Sequence, residues 1–566
     1  MDAPVARGRR AVSHRLRSRW TALAAIACVG IAAGTLLEPL GWNQTSHFAL
    51  IRALDDGTAH IDRYHKLTGD RARYHGHWYS PRAPGLAFVT LPMYEALEAV
   101  GATHTLRDNI GGRNNSETIW LLGIWGALLP AVALMLTVRW VGNRVEPGFG
   151  TPAAVTLGLG TIVLPFSTVL FAHVLSACLG FAAFALLFRA RHGPSPGRLR
   201  SYALAGACAG YAVTTEYALA LVALALAVYG LAQGDVLRRG AAYLGGFVAG
   251  LVPLGLYNQL AFGSVFHVGY ADVPNQQSGF FGINMPRPGV IVQLLLSSHG
   301  LLTLSPVVAM GIAGTVLLYR RGYRAEAFLI AAIGFGFLLY SSGYFLPFGG
   351  AVPGPRFLIA TLPFVCFPLA LAYRRWPGPT IALAAASIVA LGIPMITRPL
   401  PGAETDLRTW TWLLEKGHLT PTAVSIFKIH NEWAALIPTF AAALAALILA
   451  VRAAPGLIVG WRSLVAGAVL AIGWAIFAAA GPNRLGIDRA AAKALVADLP
   501  GGHVNGLGRD PLTHIVLYAL VACALALVSM RVVSAARERR GVDAAAAATP
   551  PRDQLRHEPV GGTARV

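Results

Sequence analysis

Apolar runs of about 17–25 residues recur along this chain, and a run of that length is what a helix needs to cross a bilayer. Only 13% of the residues are charged and 55% are hydrophobic, so too little polar surface is available to coat a soluble domain of this size. The expected fold class is an all-α polytopic membrane protein with about 14 transmembrane helices.

The basic residues set the expected orientation. The net charge is +20, but the arginines gather in short loops between apolar runs and at the two ends. That is the positive-inside pattern rather than a nucleic-acid-binding face, so no nucleic-acid partner is expected. "RGRRAVSHRLRSRW" precedes the first run, which places the amino terminus in the cytoplasm. The later basic groups, "YRRGYR", "YRRWPG" and "ARERR", fall after alternate runs and so on one side.

This threading gives a basic cytoplasmic tail over 1–20, a first span over 21–40 and a long extracytoplasmic loop over 41–117. A transmembrane core follows over 118–375, with a further membrane region over 376–535. The other outer loops are 263–300, 397–432 and 481–512. Residues 536–566 show no apolar periodicity and are expected to form a disordered cytoplasmic tail. Residues 85–101 are short for a span and carry Pro92, Glu95 and Glu98, so they read as a helix lying along the interface. The five cysteines all lie in apolar runs without metal-site spacing and read as small core residues. Asn114-Asn115-Ser116 matches a glycosylation acceptor by a pattern too common to weigh.

The polar chemistry is concentrated in "DRYHKLTGDRARYHGHWYSPRAPG", residues 62–85. Arg82 sits between Pro81 and Pro84 where the chain returns to the membrane, and the prolines stiffen its approach. A guanidinium there suits a lipid phosphate, which it grips as a fork. A nearby carboxylate suits the removal of a proton from an acceptor hydroxyl. Asp62 is the first choice for that base and Asp56 the second, with Asp55 and Asp70 also in the loop. Tyr74, Trp78 and Tyr79 are candidates to stack on sugar faces. Each has a plainer reading: interfacial anchoring for the rings, solvation or helix capping for the aspartates. His60, His65, His75 and His77 read as solvated, because His75-x-His77 is too sparse for zinc, and no metal or other cofactor is expected.

The run from the basic tail through "HFALIRAL" to "YSPRAPGLAFVTLP" resembles the C-type-fold glycosyltransferases that use polyprenyl-phosphate sugars. Protein O-mannosyltransferases and lipid A aminoarabinose transferases belong to that group. "YSPRAPG" is similar to the family's Tyr-Phe-Asp-Lys-Pro-Pro motif, with Arg82 at the phosphate-binding position. "TTEYALALV" is similar to its Leu-Thr-Lys-Gly turn, with Glu216 there, and "GPRFLIATLPFV" to its Pro-Arg-Tyr segment, with Arg356. The resemblance implies that Arg356 joins Arg82 at the donor phosphate and that Glu216 lies in the sugar or acceptor pocket. Gln44 and Thr45 stand where the family has Asp-Glu, so the resemblance moves any base into the rest of the loop.

The implied activity is transfer of a sugar from a polyprenyl-phosphate donor to an extracytoplasmic glycan, lipid or protein acceptor, at a bacterial plasma membrane. Two other classes stand beside it: a lipid or polysaccharide transporter, and a non-catalytic envelope-assembly protein. Convergence of Arg82, Arg356 and a first-loop aspartate on one site separates the enzyme from both.

Overall fold

The computed structural model describes the chain except residues 1–2, 104–115, 194–197, 233, 351, 401–406, 428, 430, 489–511 and 549–566. Asn114-Asn115 and most of the expected outer loop 481–512 therefore lie outside the described residues. The described chain is almost entirely helical, with one two-stranded hairpin.

Among the described residues, eight helices are long and apolar enough to cross a bilayer: Glu117–Val145, Ala172–His192, Val236–Phe262, Arg324–Gly343, Pro377–Ile396, Glu432–Ala453, Trp461–Arg484 and Ile515–Arg539. Two bent pairs, Pro288–Leu304 with Val307–Arg320 and Arg356–Cys366 with Leu369–Arg375, raise the number to ten if each is one span. The protein is an all-α polytopic membrane protein.

The fourteen runs expected from hydropathy include pieces that are not long helices. Tyr217–Leu231 falls short in length. The run near 152–167 is broken into Gly150–Leu159 and Val163–Ser167, and every residue in both is buried. Protein surrounds that run, so its apolarity fills a core rather than matching lipid. At the far end, the last helix runs from Leu512 to Ala548, well into the stretch expected to be disordered.

A pair of glycine motifs positions the candidate site. Gly206 and Gly210 in Leu199–Thr215 face Gly246 and Gly250 in Val236–Phe262, and a Cβ at any of the four would collide with the opposing backbone. Small residues four apart let two membrane helices touch along their backbones. Thr214 then donates its hydroxyl to Gly250 O at 2.9 Å, which fixes the turn that presents Glu216.

The opposite end of helix Ala172–His192 carries a second polar cluster. Glu326 is fully buried and accepts from His192 (2.7 Å) and the Tyr229 hydroxyl (2.7 Å), with Arg191 at 3.8 Å. A buried acid needs such partners, and these join three helices.

The first loop folds as a unit on this bundle. After α1 (Ala3–Gly34), α2 (Trp42–Asp55) buries Asn43 through Ile51 continuously. Strands β1 (Ala72–Tyr74) and β2 (His77–Tyr79) then pair antiparallel. Their two-residue turn has φ of +45° at His75 and +90° at Gly76, which suits a mirror-image hairpin turn. α3 (Gly85–Ala99) follows Arg82 directly; it buries Leu86, Ala87, Thr90, Tyr94 and Leu97 and leaves Glu95 exposed. α3 thus presents one buried face along its 15 residues.

Candidate active site

Arg82 and Asp70 meet as β2 leads into α3. The Arg82 Nε donates to Asp70 Oδ2 at 2.7 Å and its Nη2 reaches the same oxygen, while Nη1 lies 3.4 Å from the Tyr270 hydroxyl. Their side chains are 14% and 15% exposed. Burial alone would lower the Arg82 guanidinium, but the Asp70 carboxylate, with Tyr270 and Tyr344, holds it above its ordinary value. The aspartate is itself held from α2: Ser46 donates to Asp70 O at 2.7 Å and shares a 2.8 Å bond with Ser80.

Arg356 lies within electrostatic reach of Arg82, Asp70 and Glu216. It is 6% exposed, its guanidinium packs over the rings of Phe171 (5.6 Å) and Phe357 (5.3 Å), and its buried Nε has no hydrogen-bond partner. Glu216 pairs with His173 Nδ1 at 3.1 Å, and the other ring nitrogen of His173 is buried without a partner. His173, Glu216, Arg356, Ser176 and Phe357 line a cavity of about 10 Å³. His47, on α2, completes the group; burial, then the Arg82 charge, pushes its imidazole down to about 3, so it is neutral at physiological pH.

Three of the residues singled out in the sequence therefore converge: Arg82, Arg356 and Glu216. The first-loop acid that joins them is Asp70. Asp62 lies on the other side of the hairpin, where its Oδ1 accepts from Trp78 N at 2.6 Å and its Oδ2 pairs with His77 at 2.6 Å. Burial would raise the Asp62 carboxyl, but the bonds from His77 and Trp78 and the nearby His60 hold it below its ordinary range. Asp56 is bonded by Arg63 (2.9 Å) and by the Tyr64 hydroxyl (2.5 Å).

The three aromatic candidates pack the hairpin. Tyr74 stacks on His75 at 4.0 Å and donates its hydroxyl to Phe262 O at 3.3 Å. Trp78 lies parallel to His65 at 5.4 Å with Arg71 over its ring at 4.4 Å. Tyr79 is buried against Phe262. The rings beside the arginines are instead Tyr270, Tyr344 and Phe357. Sequence reasoning missed His47 and His173; ionisable residues in apolar runs were the available signal. Gln44 spends its amide on structure: Nε2 donates to Pro39 O (3.0 Å) and Oε1 accepts from Leu170 N (3.1 Å).

Asp55 makes a separate, testable contact. Burial, then Glu98 and Glu95 on α3, pushes its carboxyl up to about 6. A carboxyl raised on folding stabilises the fold in its protonated form, so the contribution is present in acid and lost as pH rises through about 6. The thermal midpoint of wild type should fall from about pH 5 to about pH 7 relative to that of Asp55→Asn. Parallel pH profiles for the two proteins would refute this.

No protein-family model matches the chain, and no curated protein matches it. Among solved structures it is similar to ArnT from Cupriavidus metallidurans. To ArnT bound to undecaprenyl phosphate it is 15% identical, with a TM-score of 0.41, over 94% of this chain and 80% of that one. To ArnT in the apo state it is 15% identical, with a TM-score of 0.43, over 82% and 81%. It is also similar to the Archaeoglobus fulgidus oligosaccharyltransferase, at 11% identity and a TM-score of 0.36, over 89% of this chain and 64% of that one. No residue role follows from likeness at this level.

Proposed function

We propose that the protein is a membrane glycosyltransferase that moves a sugar from a polyprenyl-phosphate donor to an acceptor on the extracytoplasmic side. The observation that carries this reading is the arginine pair. Arg356 is a buried cation whose Nε lacks an acceptor, and it lies in reach of Arg82, whose side chain is 14% exposed. Asp70 answers the Arg82 charge, but the Arg356 Nε is left without an acceptor, and a phosphate offers enough oxygens to bind both guanidinium groups.

In the proposed reaction the acceptor hydroxyl attacks the anomeric carbon and the carbon–oxygen bond to phosphate breaks. The polyprenyl phosphate leaves with that bonding pair, and its charge is held by Arg82 and Arg356. The acceptor proton passes to Asp70. Both Arg82 contacts fall on Asp70 Oδ2, which leaves Oδ1 as the proton acceptor. Asp70 takes this role in place of Asp62 or Asp56 because it is the aspartate joined to the phosphate-binding side chain. A groove of about 640 Å³ lined by Leu54, Phe88, Tyr211, Leu256, Tyr257 and Leu260 is apolar enough for the prenyl chain.

Deletion in the host should remove one sugar from an envelope glycan, lipid or protein, restored by wild type and not by Arg356→Ala. An impermeant thiol reagent on intact cells should label a cysteine placed at Arg63 and spare one at Gly193. Unchanged envelope glycans would sink the activity, and the reverse labelling would sink the orientation.

A further inference from the structure

The same fold that withdraws Asp62 from the arginine pair gathers it with two histidines. His60, Asp62 and His77 come from two segments of the first loop, about fifteen residues apart in sequence, that adjoin in space. Ile61 N donates to Trp78 O at 2.7 Å, which zips residues 60–62 alongside β2. Ile61 is fully buried and anchors that contact. His60 and His77 then lie with their rings 4.7 Å apart and inclined by 28°. The Nδ1 atoms of both approach one carboxylate oxygen, Asp62 Oδ2, at 3.1 Å and 2.6 Å. All three donor atoms lie within 4.8 Å of one another.

We infer that His60 Nδ1, His77 Nδ1 and Asp62 Oδ2 form a binding site for one zinc ion. Three features of the cluster point to a metal. His60 Nδ1 is buried and close to the carboxylate, yet it makes no hydrogen bond. A ring nitrogen aimed at the space beside an oxygen, without a proton bridging them, has its lone pair placed for a ligand. Second, Asp62 Oδ1 accepts from Trp78 N at 2.6 Å, so the carboxylate is oriented by the backbone and offers its other oxygen. Outer bonds of this kind are how metal sites hold a ligating carboxylate. Third, two imidazoles and one carboxylate are a zinc donor set, with water completing four-coordination.

The spacing fits with a small adjustment. Ligand atoms in a tetrahedral zinc site lie about 3.3 Å apart. The His60 contact is already near that value, the His77 contact must widen by about 0.7 Å, and the two Nδ1 atoms, which lie within 4.8 Å of each other, must settle at about the same separation. His77 is half exposed, so its ring is free to turn by that much. The ion would clamp residues 60–62 to β2, which runs through Ser80 and Pro81 into Arg82. The site thus stiffens the approach to the arginine pair without touching it. It is independent of the proposed activity.

The test uses the full chain purified in detergent, stripped with a chelator and reloaded with zinc chloride or cobalt(II) chloride. Wild type should retain about one zinc per chain after desalting, measured by elemental mass spectrometry. Its cobalt form should show the intense visible bands of a tetrahedral site. His60→Ala and His77→Ala should each lower retained zinc at least tenfold, whereas His75→Ala, on the same turn, should retain it. Wild type with less than a tenth of an equivalent, or a cobalt spectrum of the octahedral aquo ion, would overturn the site without reference to any variant. Equal zinc in wild type and in both His60→Ala and His77→Ala would overturn it as well.

Discussion

Replacing Arg82 by alanine is expected to destroy the proposed sugar transfer and to destabilise the protein at the same time. The side chain is buried with Asp70, and removing one partner of a buried ion pair costs about 3–5 kcal/mol, because the other charge stays desolvated. Asp70→Asn keeps the shape but leaves the buried Arg82 charge without its carboxylate, so it should cost stability on a similar scale. The double variant Arg82→Ala/Asp70→Ala should recover most of the stability lost in Arg82→Ala, since no buried charge is left alone. It should recover none of the activity. Thermal unfolding and complementation of the deletion, measured on the same four proteins, separate the two effects. Full complementation by Asp70→Asn would remove Asp70 as base. If Asp62→Asn failed under the same conditions, the role would return to Asp62.

Gly349→Ala is expected to match Arg356→Ala in activity although residue 349 carries no chemistry. Its φ is +84°, and an added Cβ would fall on the Arg356 side chain. The neighbouring Gly350, at φ +108°, provides the control, because a Cβ there meets nothing nearer than Leu346 at 3.7 Å. Each alanine forces an unfavourable backbone and should cost about 1–2 kcal/mol of stability. Only Gly349→Ala displaces the guanidinium, so only it should lose transfer, by about tenfold or more; a tenfold loss corresponds to about 1.4 kcal/mol of transition-state stabilisation. Equal activity in the two glycine variants, corrected for folded protein, would show that the position of Arg356 does not matter.

Much of this was legible from residue order alone. The apolar runs define the class, because hydropathy over the length of a span is a local property. Arg82 between two prolines, Arg356 in a Gly/Pro-rich turn and Glu216 between apolar segments are each conspicuous as charges placed where lipid meets protein. Those three residues do come together. The number of long helices was not legible: Gly150–Leu159 is as apolar as a span, but it ends at Gly160 and lies wholly inside protein. Hydropathy does not distinguish burial in lipid from burial in a core.

The choice among four aspartates rested on tertiary structure. Asp62 and Asp70 are close in sequence, and both lie in a polar loop that local rules treat alike. The His75-Gly76 turn folds β2 back along β1, and the Ile61–Trp78 bond draws the preceding segment against β2. That places Asp62 against His60, His77 and the Trp78 amide, and Asp70 against Arg82. The same folding carries Tyr74 and Trp78 into the hairpin's own packing, and it brings His47 and His173 beside the arginines from two different helices. Sequence determines which groups are costly to bury and so must find partners. Which partner each one finds depends on contacts between residues distant along the chain, and only the folded structure settles those.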